Sequence, residues 1–102
     1  MISIHYTVSG DAFELTMMGH AGYAQAGEDI VCAGASTLLF TLLNHLEVMG
    51  EDYSAEYNKG YATVSADSRH AADTFEVIMT GFRMLSTKYP ERVRVICDAA
   101  GG

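Results

Sequence analysis

Ile2, Ile4, Tyr6 and Val8 alternate with Ser3, His5, Thr7 and Ser9, the period-two rhythm of a strand with one buried face. Phe13, Leu15 and Met17 repeat it after Ser9-Gly10-Asp11. Glycine tolerates positive φ and aspartate bonds its own backbone, so the two runs predict a hairpin ending near Gly19. The rhythm vanishes from Ala21 to Glu28, where Gly22 and Gly27 bracket small and polar residues, and a loop is expected there. Asp29 then opens a helix as its N-cap, running to about Met49 before Gly50 stops it.

Tyr53, Ala55 and Tyr57 lead through Asn58-Lys59-Gly60 into Tyr61 to Ala66, a second hairpin. Asp67-Ser68 offers a cap for a helix on which Ala71, Phe75, Ile78, Phe82, Leu85 and Tyr89 recur at spacings of four and three, one apolar stripe closed by Pro90. Arg92 to Cys97 reads as a last strand and Ala99 to Gly102 as a frayed tail. The order β-β-α-β-β-α-β predicts an α+β fold, a mainly antiparallel sheet covered by two helices, forming a single domain over residues 1–102.

Composition narrows the possible partners. Thirteen acidic against six basic residues give a formal net charge of −7, which disfavours nucleic acid or an anionic membrane and favours a basic protein or peptide. Ile30 to Leu46 is the longest apolar stretch, but Ser36, Thr37, Thr41, Asn44 and His45 interrupt it. It falls short of the roughly 20 apolar residues of a bilayer span and reads as a buried helix. Met1 to Ser9 has no basic flank of the signal-peptide kind, so a cytoplasmic location is expected. Cys32 and Cys97 are accordingly expected as thiols, with Cys97 buried beside Val93 and Val95 in the last strand.

The chemistry concentrates between Gly19 and Cys32. A cysteine acts as a nucleophile through its thiolate, which needs a positive neighbourhood and partial exposure. With Asp29 as cap, Cys32 falls in the first helical turn, where unpaired N–H groups and the macrodipole favour an anion. His20, between the strand and the loop, is the candidate base. Gly19 and Gly22 beside it let the backbone turn sharply and a substrate backbone approach. A helix cysteine is also an ordinary small hydrophobe and a loop histidine an ordinary surface residue, so the spacing permits the pairing without requiring it. His5, His45 and His70 read as solvated or structural residues, and no metal site follows from their spacing. The tyrosines around Asn58 to Tyr61 offer a groove for an extended peptide, or ordinary strand packing.

Gly19-His20-Ala21-Gly22, then Gly27, Asp29-Ile30-Val31-Cys32-Ala33 and Ser36, resemble the signature of the ribosomal-processing cysteine protease family, Prp. The resemblance implies a bacterial cytoplasmic endopeptidase, homodimeric and without a cofactor. Its substrate would be a basic ribosomal protein, large-subunit protein twenty-seven, from which it removes an amino-terminal extension with aromatic residues beside the scissile bond. It also implies His20 as base and Cys32 as nucleophile. Asp29 matches the motif's acidic residue and caps the helix, orients His20, or does both. Ser36 lies one turn beyond Cys32 and either touches the site or bonds back to the Cys32 carbonyl. The sequence departs from the common pattern at Ala33-Gly34-Ala35, where Gly34 should loosen the helix by about 1 kcal/mol relative to alanine. Two other readings stand beside the protease: a non-catalytic peptide-binding ribosome assembly factor, and a thiol redox sensor.

Overall fold

The computed structural model describes residues 1–19 and 30–98. Its elements are β1 (Ile2–Ser9), β2 (Ala12–Gly19), α1 (Ile30–Val48), β3 (Tyr53–Asn58), β4 (Tyr61–Asp67), α2 (Arg69–Lys88) and β5 (Val93–Cys97), in the expected order. The five strands form one sheet in the spatial order β3-β4-β2-β1-β5. All neighbouring pairs are antiparallel except β1 with β5, which run parallel from Ile2 opposite Val93 to Tyr6 opposite Cys97.

Strict alternation sends one set of side chains to each face of the sheet. Ile2, Ile4, Phe13, Leu15, Ala62, Val64 and Val93 are buried on the face the helices cover, and Thr16 and Thr63 bond each other on the other face at 3.3 Å. The helices close the core with Val31, Ala35, Leu39, Leu42 and Leu46 from α1, and Ala71, Phe75, Ile78, Met79 and Phe82 from α2. Phe75 stacks on Phe13 at a centroid distance of 4.2 Å and 16° and meets Tyr6 at a tilt, so ring contacts pin α2 to the middle of the sheet. Leu85 and Tyr89 of the expected stripe are only half-buried, whereas Met79, outside it, is fully buried.

The helix ends follow local chemistry. Gly50 takes φ +69 after α1, while its N–H bonds the Glu47 carbonyl and the Glu51 N–H bonds that of Leu46, the paired closure of a Schellman cap. Ser68 caps α2, its Oγ accepting from the Ala71 N–H at 3.1 Å while its hydroxyl donates to Glu51. Of the described helices, α1 alone is long and apolar enough to cross a membrane, yet Leu39, Leu42, Leu43 and Leu46 are buried in the core. That is the behaviour of a core helix.

Cys97 departs from expectation. It shares its face with Val93 and Val95 but is exposed at the last position of β5. Burial fades along this strand, and alternation assigns a side chain its face without its distance from the sheet's centre.

Candidate active site

Cys32 is the third residue of α1 and half-buried. It lies in the first turn, where the helix dipole points its positive end toward any anion placed there. Four-residue spacing stacks Cys32, Ser36 and Phe40 in one row along α1, and all three line one side of a cleft of about 130 Å³. Met17, Leu39 and Ala62 line it as well, and Tyr57, Asn58, Gly60 and Tyr61 bring in the tip of the β3–β4 hairpin. Phe40 meets Tyr57 edge-on, centroids 5.4 Å apart at 88°, which joins the two sides at one end.

Gly19 completes this rim. Its φ is +93, its N–H donates to the Gly60 carbonyl at 2.9 Å, and a Cβ built on it would overlap the Met1 carbonyl oxygen. Only glycine satisfies both the dihedral and the space. Thus β2 ends in a corner tied to the hairpin tip and to the start of β1, on the rim of the cleft that holds Cys32.

His20, Gly22 and Asp29 lie outside the described residues, as do Gly27 and the expected loop from Ala21 to Glu28. The structure brings together Cys32, Ser36 and Gly19. It is Thr37, next to Ser36, that bonds back along the helix, its Oγ1 donating to the Ala33 carbonyl at 2.8 Å. Among the described residues no charged side chain lines the cleft, and no cluster of His, Cys, Asp and Glu suits a metal ion. The arrangement offers a half-buried thiol in the first turn of a helix, beside a mainly apolar depression. An engineered apolar cavity of about 150 Å³ holds benzene, so this one has room for about one bulky apolar side chain. Sequence reasoning missed Met17, Leu39 and Phe40; the spacing of four from Cys32 through Ser36 marks Phe40 in retrospect, whereas Met17 arrives only through sheet pairing.

Comparison with known proteins gives a consistent result. The cysteine protease Prp family model matches residues 1–94. The ribosomal processing cysteine protease Prp of Staphylococcus aureus is 28% identical over 103 residues, covering 93% of this chain and 97% of that protein. The Bacillus subtilis protein of the same name is 28% identical over 94 residues, covering 82% of each. A crystal structure of the S. aureus protease with a covalently linked product peptide superposes with a TM-score of 0.88 at 25% identity, over 96% of this chain and 100% of that one.

Proposed function

Since this chain belongs to the Prp family of cysteine proteases, we propose that it removes the amino-terminal extension of large-subunit ribosomal protein twenty-seven, in the bacterial cytoplasm, during ribosome assembly. Cys32 is the nucleophile and His20 the base. The observation that carries this reading is Cys32 itself, half-buried in the first turn of α1 on the wall of an apolar cleft. Gly19, the residue before His20, lines the same cleft, which supports the pairing.

In this mechanism the Cys32 thiolate attacks the scissile carbonyl carbon, and N–H groups of the α1 first turn stabilise the oxyanion. Collapse breaks the C–N bond and the imidazolium of His20 protonates the departing amine. Water, deprotonated by His20, then hydrolyses the thioester and restores the thiol. Ser36 lines the cleft wall beside Cys32. The depression between Phe40, Tyr57 and Met17 receives an aromatic side chain beside the scissile bond, and the net charge of −7 attracts a basic substrate.

The protein acts as a homodimer in this proposal. On α1, Ala33, Thr37, Thr41, Asn44 and Val48 form an exposed uncharged row bordered by Glu47 and His45, a face on which two copies of an acidic chain meet with little like-charge repulsion. Sedimentation of the purified protein tests this: a monomer at micromolar concentration overturns it.

The test of function incubates the ribosomal protein of the same organism, extension intact, with wild type and with Cys32→Ala, His20→Ala and Cys97→Ala. Wild type and Cys97→Ala should release a new amino terminus, and the other two should not. Cleavage by Cys32→Ala would sink the protease assignment. An assembly factor would bind the extension and leave it whole, and a redox sensor would cycle Cys32 with oxidant.

A further inference from the structure

We propose that the polypeptide processed at Cys32 docks as a sixth strand along the free edge of β3, an assignment that rests on the protease reading above. β3 ends the sheet. Hydrogen-bonded and non-bonded pairs alternate across an antiparallel ladder, and in a two-residue turn the flanking residues bond each other. Ser9 with Ala12, and Asn58 with Tyr61, are such flanking pairs. Followed from the Ser9–Ala12 turn, the parity sends Phe13, Leu15 and Met17 to β4 and even-numbered β1 residues to β5. The Tyr6 carbonyl accordingly accepts from the Asp98 N–H and the Ile2 N–H donates to the Arg92 carbonyl. By the same parity Ser54, Glu56 and Asn58 bond β4, and the N–H and C=O groups of Tyr53, Ala55 and Tyr57 point outward.

Such an edge invites another chain, and proteins commonly blunt it with lysine, proline or a bulge. β3 carries no lysine, proline or bulge, and Glu56 is its one charged residue: its register with β4 is unbroken and five of its six residues are exposed. Its position supplies the occupant. Tyr57 lines both the Cys32 cleft and the gap between α1 and β3, so a strand paired beside it presents its side chains along the groove that leads to the Cys32 wall. Residues opposite one another in a ladder share a face. Side chains paired with Tyr53, Ala55 and Tyr57 therefore turn toward α1, where a second gap of about 170 Å³ opens between the helix and β3. Phe40 and Leu43 give that gap apolar walls, and Glu47, holding the Tyr53 hydroxyl at 2.9 Å, places a carboxylate at one side. The fitting ligand is an extended segment, free of proline where it pairs, with apolar side chains at every second position and a cationic one near Glu47.

The test uses wild-type protein and a synthetic peptide spanning the cleavage site of the ribosomal protein, N-methylated at one residue at a time. An N-methyl group deletes one donor, so kcat/KM should fall about five- to tenfold at every second residue along the paired segment and stay level between. A flat profile, or losses without alternation, overturns the docking strand while cleavage of the unmodified peptide leaves the protease reading intact. Failure to cleave the unmodified peptide refutes both. Ala55→Pro removes one outward donor and no ladder bond; it should raise KM for the unmodified peptide about tenfold with the thermal midpoint held. An unchanged KM in the folded variant counts against the proposal.

Discussion

Gly34 in α1 and Gly81 in α2 should answer the same substitution differently. Each lies inside a helix, where glycine costs about 1 kcal/mol relative to alanine because the unfolded chain has more backbone freedom to lose. The difference is what a methyl group would meet. At Gly34 the nearest atoms are Leu85 Cδ1 at 3.5 Å and Cδ2 at 3.8 Å, ordinary contact that adds a little buried apolar area. Gly34→Ala should therefore stabilise the protein by about 1 kcal/mol, which for a domain of this size raises the thermal midpoint by about 4–8 °C. At Gly81 the methyl would meet Leu38 Cδ2 at 2.5 Å and Cδ1 at 3.2 Å, so Leu38 has to move. Overpacking of that kind costs about 1–3 kcal/mol, which cancels or exceeds the helix gain. Gly81→Ala should leave stability unchanged or lower it by up to about 2 kcal/mol. Urea unfolding followed by circular dichroism reads both values, provided the m-value is unchanged. A Gly34→Ala variant less stable than wild type, or a Gly81→Ala variant more stable than Gly34→Ala, would refute the reasoning. Cleavage rates add a second readout: Gly34 is two residues from Cys32, and a loss of kcat in the stabilised variant would show that the looseness of this turn is used.

Three further outcomes follow from the geometry. Ser68→Ala removes the α2 cap and a partner of Glu51, and should cost about 1–2 kcal/mol in chemical unfolding. Gly19→Ala sets a side chain against the Met1 carbonyl at φ +93; it should destabilise by at least about 1–3 kcal/mol and depress cleavage, and a variant of wild-type stability and activity would contradict the corner. The Tyr53 hydroxyl, hydrogen-bonded to the Glu47 carboxylate, titrates above the usual tyrosine value of 10.0. The neutral phenol is the favoured form, so its contribution to stability is present below the unfolded pKa and is lost as pH rises through the folded one. Ultraviolet titration should show one tyrosine moving down in Glu47→Gln.

Local signals carried most of the fold. The alternation of Ile2 to Val8 and the stripe of Phe75, Ile78 and Phe82 each name a secondary structure and a buried side within a few residues, and Gly50 and Ser68 mark helix ends by their own chemistry. The parallel pairing of Ile2 with Val93 has no local cause: it depends on where α2 returns the chain, which no short window contains. Cys97 shows the same gap at smaller scale, since its face was legible and its depth was not. At the site, Cys32 and Ser36 are visible as helix neighbours, but Met17 and Tyr61 reach them only through the ladder joining β2 to β4.

The pairing of β1 with β5 also sets a timetable. Ile2 and Val93 are separated by 91 positions, so sealing the sheet closes a loop almost as long as the chain. Every described cleft residue lies between Met17 and Ala62, whereas β5 is made after all of them. At roughly 5–20 residues per second, about five to twenty seconds separate synthesis of the first strand from synthesis of its parallel neighbour. Throughout that interval one edge of β1 stays open, and once Ala62 has been made a nascent chain holds every described part of its cleft without the strand that makes the frame durable.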